Sequence, residues 1–308
     1  MSRRGWVLFV AMCVIWGCPY LLIKVAVEEL APSTLVLART VLGAGLLLPF
    51  VVARGQLRLV LARWRPLVAF ALIEICVPWL LLGMAEQRLS SSLTGLLVAT
   101  VPLVAAVLVR FDPGHDRLDP RRYAGLLVGL LGVAALVGFE VGSGDLLAAA
   151  AVGAVAVLYA VGPLVLSTHL ADLPAPGVIA AALGLAAVLC LPAGVAQAPT
   201  TWPSAEVVAS VLILGVVCTA IAFLIFFALI AEVGATRSTV ITYVNPAVAV
   251  LLGAAVLGER LTLATGIGFA LIIVGCLLAT GRTRRPAVAG AAGRDVTCDE
   301  LAQPVAEP

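Results

Sequence analysis

The chain has 308 residues, of which 62% are apolar and only 12% charged. That excludes an ordinary soluble globular domain, because too little polar surface exists to cover one. The formal net charge of +2 gives no sign of a nucleic-acid partner, and Lys24 is the only lysine. A phosphate-binding Walker loop needs its lysine behind a glycine-rich turn, so ATP-driven transport within this chain is not expected.

Arg3 and Arg4 followed by an apolar run resemble a signal peptide, and Trp16-Gly17-Cys18 resembles a lipoprotein cleavage site. A bulky tryptophan before Gly-Cys fits cleavage poorly, and Lys24 then a second apolar run fit it no better, so the segment is read as a retained first helix. A bilayer-spanning helix needs about 20 apolar residues. Runs of that length predict ten spans: Gly5–Val27, Pro32–Ala53, Pro66–Met84, Ser90–Arg110, Arg121–Glu140, Asp145–Ser167, Pro174–Ala196, Ala205–Ala231, Ala235–Gly258 and Thr262–Gly281. Connections are too short for an extramembrane domain. The polar segment Arg282–Pro308 is expected to be a disordered cytoplasmic tail.

The fold class is therefore all-α integral membrane, with ten transmembrane helices in two inverted five-helix repeats. With the N-terminus inside, fifteen of the nineteen basic residues fall at inner helix ends, including Arg54, Arg58, Arg63, Arg65, Arg110, Arg117, Arg121, Arg122 and Arg237. Only Arg88 and Arg260 fall outside. That asymmetry predicts a multi-pass plasma-membrane protein with both termini cytoplasmic. A shift of 143 residues puts Asp116-Arg117-Leu118 on Glu259-Arg260-Leu261, and Gly125, Gly132 and Gly138 on Gly268, Gly275 and Gly281. A shift of 144 puts Pro102 on Pro246 and Thr94 on Ser238. Residues 1–140 and 141–281 are thus read as two repeats of five helices. An odd number of helices per repeat inverts the second against the first, the architecture of alternating access.

Six of the seven cysteines lie in apolar runs and none forms a CxxC pair, so core packing is expected rather than disulfides or zinc. No cofactor or metal is implied. Three ionisable residues sit within spans. Lys24 lies near a helix end where its stem can snorkel. Arg39 lies seven residues from Pro32, about 10 Å deep at the helical rise. It either binds an anionic substrate group or pairs with Glu28, Glu29 or Glu86. Glu74 lies near the midplane with Pro78 one turn later, where that proline frees a backbone carbonyl on a kinked helix. A buried carboxyl there either exchanges a proton during transport or is a neutral acid hydrogen-bonded in the bundle.

Ser238, Thr242 and Asn245 share one face of the ninth helix, and Pro102 and Pro246 are expected to kink the fourth and ninth helices. Matching kinks in two halves point to a midplane binding site, with interhelical polar packing the alternative for Asn245. Trp16, Trp79, Tyr159 and Tyr243 are candidates for cavity walls or for aromatic core.

Several segments resemble the drug/metabolite transporter superfamily, in its EamA-type members. They are Trp16-Gly17 with Lys24, the buried Arg39, Pro78-Trp79 through Glu86-Gln87 into Ser90-Ser91-Ser92, and Ala99-Thr100-Val101-Pro102. In the second half they are Thr242-Tyr243-Val244-Asn245-Pro246 and Leu257-Gly258-Glu259-Arg260-Leu261. The resemblance spans roughly residues 5–281. It implies a cavity lined mainly by the first, third, fourth, sixth, eighth and ninth helices, with the fifth and tenth as scaffold. The sixth span carries Tyr159-Ala160 where the family has Trp-Ala. Gly125-x-x-x-Gly129 and Ala264-x-x-x-Gly268 fit close packing of that scaffold.

The expected function is secondary transport of a small polar metabolite by alternating access, with two alternatives. A membrane-embedded enzyme is disfavoured because His115 and His169 lie outside spans and neither HExxH nor GxSxG occurs. A non-transporting membrane scaffold has no need of an inverted repeat. The partners expected are a small-molecule substrate and membrane lipid, without nucleic acid; a homodimer is left open.

Overall fold

The computed structural model describes residues 2–108, 120–234, 238 and 240–280. Arg110, His115, Asp116, Arg117, Leu118, Ala235, Arg237 and the chain from Gly281 onward lie outside the described residues. Within them every regular element is helical. Eight helices are long and apolar enough to cross a membrane. They are α1 (Arg3–Ala26), α2 (Pro32–Ala53), α3 (Trp64–Glu86), α4 (Ser91–Leu108), α5 (Pro120–Glu140), α6 (Leu146–His169), α7 (Ala175–Ala196) and α8 (Ala205–Val233). Two shorter apolar helices follow, α9 (Ile241–Leu257) and α10 (Leu263–Thr280).

Local chemistry sets the helix starts. Ser2, Ser90 and Ser204 cap α1, α4 and α8, their hydroxyls accepting from Gly5, Leu93 and Val207 N–H. Pro32 opens α2 at a position whose N–H has no helical acceptor. Several helices are interrupted. α1 breaks at Cys18, with Pro19 starting its second piece, Pro19–Ala26. α4 breaks between Val98 and Val101, just before Pro102, while Pro246 lies inside α9.

In α3 the stretch Ala71–Cys76 winds as a π-helix, and Val77 N–H reaches back five residues to Leu72 O. Pro78, having no N–H, leaves the Glu74 carbonyl without its usual donor four residues on, and the wider winding accommodates the loss. α8 carries a second π stretch, Ile213–Ile221, where the Thr219 hydroxyl donates to Leu214 O at 2.8 Å.

The most extensive helix pairings are α5 with α10 and α2 with α7. Glycines permit the first. A Cβ on Gly275 would lie 2.5 Å from Gly129 N and 2.7 Å from Gly125 O, and one on Gly132 would lie 2.9 Å from Gly268 O. The two backbones touch, as expected of the glycine spacing. Around these pairs run several apolar clusters. One joins α2, α3 and α7 through Val36, Phe70, Ile75 and Leu183; another joins α4, α5, α6 and α10 through Leu96, Leu136, Val152 and Ile272. Outward, Leu130, Leu131, Phe139, Leu147 and Val188 are largely exposed, as side chains solvated by lipid would be.

The glycine contact generates a stability prediction. Gly275→Val should lower the thermal midpoint in detergent by the equivalent of about 1–3 kcal/mol, the usual cost of overpacking. Gly45→Ala, where nothing lies within 4 Å of an added Cβ, should leave it unchanged or raise it slightly. Equal effects at the two sites would refute backbone contact between α5 and α10.

Candidate functional site

Arg39 projects from the middle of α2 and is buried. Its Nε donates to the Thr219 hydroxyl on α8 at 2.9 Å, and its guanidinium carbon lies 3.6 Å from the centre of the Trp79 ring on α3. Thr219 can accept because its own proton is committed to Leu214 O. Neither terminal nitrogen of Arg39 makes a hydrogen bond or ion pair among the described residues. Tyr20 on α1, Tyr159 on α6, Cys218 on α8 and Glu86 on α3 act on it electrostatically. Of the alternatives open for Arg39, an ion pair with Glu28 or Glu29 is not present among the described residues. Both are exposed, and Glu29 accepts from Ser204 N at 2.8 Å instead.

Glu74 sits inside the α3 π-helix. One carboxyl oxygen, Oε2, is sealed from solvent with no hydrogen-bond partner. It rests against Gly162 of α6, where any Cβ would overlap the carboxyl. Tyr159, one turn away on that helix, feels its charge. Arg39, Trp79, Tyr159 and Glu74 are therefore brought together, as candidates chosen from the sequence.

The other candidates lie apart from them. Trp16 packs its ring on Phe226 and Phe223 of α8, centroids 4.8 and 5.9 Å away. Tyr243 packs at the edge of the α4–α6–α10 cluster, and Thr242 is exposed. The Asn245 amide, oriented to satisfy its neighbours, donates to Ile241 O at 2.9 Å and Cys13 O at 3.3 Å, tying α9 to α1.

Glu86 carries weight that sequence reasoning gave it only as a partner for Arg39. It is fully buried and both carboxyl oxygens lack hydrogen bonds. Lys24 is half-buried, and its ammonium donates to the carbonyls of Glu86 and Leu89 at 2.6 and 2.9 Å. Tyr20 and Thr219 were missed too. The periodic signal was there for Tyr20, one turn before Lys24, but a tyrosine in an apolar run carries no mark of what it faces.

A second polar assembly closes the bundle end that carries the α3–α4 and α9–α10 connections. Gly258, at φ 64°, ends α9 and turns Glu259 back. Its carboxylate accepts from Ser91 N at 2.7 Å, Ser91 Oγ at 2.9 Å, Ser92 N at 3.0 Å and Ser92 Oγ. These are the first N–H groups of α4, where an anion is favoured. Partial burial would push the Glu259 carboxyl up, but the serine hydrogen bonds outweigh it and hold the group below its ordinary value. Nearby, Glu140 accepts from Thr262 and Thr265, and Arg88 lies 3.8 Å from Asp145.

The EamA-like transporter family matches this sequence twice, over residues 3–138 and 143–281. The chain belongs to that family. The sequence is similar to the uncharacterized inner membrane transporter YedA of Escherichia coli strain K12, at 30% identity over 285 residues covering 88% of each chain. The same figures hold for YedA of E. coli O157:H7. A protein crystal structure superposes with a TM-score of 0.65 at 25% identity, covering 92% of this chain and 100% of the other. This EamA-like protein is a multi-pass membrane transporter, and the polar groups among α1, α2, α3, α6 and α8 are its candidate substrate site.

For this EamA-like chain the serine clamp yields a pH prediction. Glu259 is held below its unfolded value, so its stabilisation is present above the ordinary carboxylate range and lost as pH falls through the folded value. The thermal midpoint in detergent should drop on acidification, and Glu259→Gln should flatten that drop at a cost of about 1 kcal/mol at neutral pH, allowing for solvent screening. An unchanged acid profile in the variant would show the clamp to be inert.

Proposed function

We propose that this transporter moves a small polar metabolite across the plasma membrane by alternating access, in efflux or exchange. The moving parts are two inverted five-helix repeats, residues 1–140 and 141–281, forming ten spans with both termini cytoplasmic. One observation carries the reading. Arg39 and Glu74, both deep in the bundle, keep hydrogen-bonding capacity unspent, and they lie where helices of the two repeats meet. A scaffold gains nothing from such groups, because each is expensive to insert and these are only partly compensated.

The helix contacts support the inverted arrangement. Adding five to a helix number maps contact onto contact: α1 with α8 becomes α6 with α3, α1 with α9 becomes α6 with α4, and α2 with α8 becomes α7 with α3. α2–α7 and α5–α10 map onto themselves. The irregularities follow the same shift. Pro19 falls on Pro163 at 144, Pro49 on Pro192 at 143, and the π stretch 71–76 on 214–219 at 143. Interrupted helices at matching positions let one repeat rock against the other around a fixed site. α9 and α10 count as the last two spans on this reading, although each is shorter than the other eight.

In this scheme Glu74 carries the coupling proton. It is neutral when protonated, and the residue as a whole is half-buried although Oε2 is sealed. Glu74→Gln should fold, because glutamine makes most of the hydrogen bonds of a neutral acid. In proteoliposomes the variant should lose transport driven by a pH gradient and keep gradient-free exchange. Normal pH-driven transport in the variant would remove Glu74 from the coupling role. Loss of both modes with normal expression would place Glu74 against substrate instead.

Topology is tested separately. Reporters fused after Pro286 and within the turn between Glu140 and Asp145 should report opposite faces of the membrane. Reporters on one face would overturn the ten-span inverted arrangement.

A further inference from the structure

The connection between α2 and α3 carries a surface that suits neither water nor hydrocarbon. The chain leaves α2 through Gly55, at φ 67°, and enters a short helix, Gln56–Leu61, before α3 begins. That helix has an inner face and an outer one. Val60 is fully buried, Leu57 packs on the α2–α3–α7 cluster, and a Cβ on Gly177 of α7 would lie 3.2 Å from Val60 and 3.3 Å from Gln56. Packing on α7 therefore fixes which side faces out. The outward positions are Arg58, Leu59 and Leu61, with Arg54 before them and Trp64 and Arg65 after, all exposed.

Leu59 and Trp64 are each 58% exposed and Leu61 50%, an apolar group that bulk water disfavours. The guanidiniums among them exclude a position in hydrocarbon. Only the boundary of headgroups and acyl chains satisfies both. The three arginines also lack partners in the protein. The Arg54 guanidinium carbon lies 3.9 Å from the centre of the Phe50 ring, and that of Arg65 lies 5.5 Å from the Trp64 ring, contacts that spend no N–H on an acceptor. Among the described residues nothing accepts a hydrogen bond from Arg54, Arg58 or Arg65, and no carboxylate pairs with them.

The acids at this end of the bundle are engaged elsewhere. Asp172, on the α6–α7 connection, is held by both terminal nitrogens of Arg63, at 2.9 and 2.7 Å. Glu232 accepts from Ser2, beside Arg3 and Arg4 on α1. The α4–α5 connection sets Arg110, Arg117, Arg121 and Arg122 against Asp112, Asp116 and Asp119 in its sequence, so it brings no surplus of acid.

We infer that this surface binds the phosphodiester headgroup of an anionic membrane phospholipid. Arg54, Arg58 and Arg65 hold the headgroup, and Leu59, Leu61 and Trp64 lie against the acyl chains. A zwitterionic headgroup would bring its own cation to three arginines, so an anionic one is selected. Because Arg63 ties the same segment to the α6–α7 connection, a lipid held here fastens one end of both halves of the chain to the membrane plane. The site depends on neither the substrate nor alternating access, so its failure would leave both untouched.

The test uses the full chain in neutral detergent, titrated with dioleoyl phosphatidylglycerol or dioleoyl phosphatidylcholine. Retained lipid is read by native mass spectrometry and stabilisation by the thermal midpoint. Phosphatidylglycerol should be retained and should raise the midpoint, phosphatidylcholine should do neither, and retention should weaken as salt is raised. Arg54→Gln, Arg58→Gln and Arg65→Gln should each weaken retention about fivefold, and all three together on the order of a hundredfold. Arg88→Gln, beyond the opposite end of α3, should leave it unchanged. The choice between the two lipids needs no variant, so it stands even if the triple variant fails to fold. Equal retention of both lipids by the unaltered chain overturns the inference, and so does selective retention that the folded triple variant keeps. Soluble glycerol phosphate stabilising as well as phosphatidylglycerol would give the site to a free phosphate. Polyglutamate bound more tightly than the lipid would give it to an acidic protein segment. A dimer in lipid-free detergent that the triple variant splits would give the face to a second copy of this chain. Each of these three outcomes overturns the lipid.

Discussion

A chain in hydrocarbon has no water to satisfy its backbone, and every departure from regular helix must find its partners inside the protein. That constraint organises this bundle. One π stretch and two helix ends show side chains supplying what the backbone lacks. Thr219 bonds into the α8 ladder, Lys24 takes the carbonyls at the end of α3, and Glu259 takes the first N–H groups of α4. Irregular backbone is tolerated only where it is useful to something polar. Glu74 and Thr219 both sit within π stretches.

Arg39 illustrates how close the balance runs. A guanidinium at a helix centre costs about 2.5–3.5 kcal/mol on insertion scales. A desolvated cation–π contact returns about 2 kcal/mol and a charge-assisted hydrogen bond about 1.5–3 kcal/mol. The Trp79 ring and the Thr219 hydroxyl therefore offset part of that cost without a carboxylate in contact, and the terminal nitrogens stay unpaired among the described residues. The arginine can then wait with its outer edge free. Had Glu86 closed on it as an ion pair, breaking that pair would oppose any incoming anion.

Much of this was legible in the sequence, for definite reasons. Helix positions follow from apolar run length, which is why eight of the spans read from sequence fall within a few residues on helices long enough to cross a membrane, while the ninth and tenth fall on two shorter apolar helices. The α5–α10 contact follows from Gly125, Gly132, Gly268 and Gly275 in register, since only glycine lets two backbones touch. Arg39 and Glu74 stood out because charges in apolar runs are rare. What stayed hidden has one cause: it depends on which helices are neighbours. Nothing local marks Thr219 as the acceptor for a residue 180 positions earlier, or Gly162 as the floor beneath Glu74. Asn245 carries the opposite lesson. It shares a helical face with Thr242 by spacing, yet its amide is engaged with the α1 backbone at Cys13.

The asymmetry between the repeats is the last step of the argument. Contacts, prolines and π stretches recur at the shift of 143 to 144, but the charges within the spans do not. Arg39 falls on Ala182, Glu74 on Val217 and Glu86 on Leu229. In the proposed alternating-access scheme a symmetric scaffold would supply two equivalent ways of opening, while the charged candidates Arg39, Glu74 and Glu86 all lie in the first half of the chain. Thr219 and Tyr159, contributed by the second repeat, touch those candidates from across the divide. If one repeat rocks against the other, the Thr219 bond and the Gly162 floor move relative to Arg39 and Glu74. The second repeat then acts on the site by changing what those two side chains lean on, without carrying a charge of its own there.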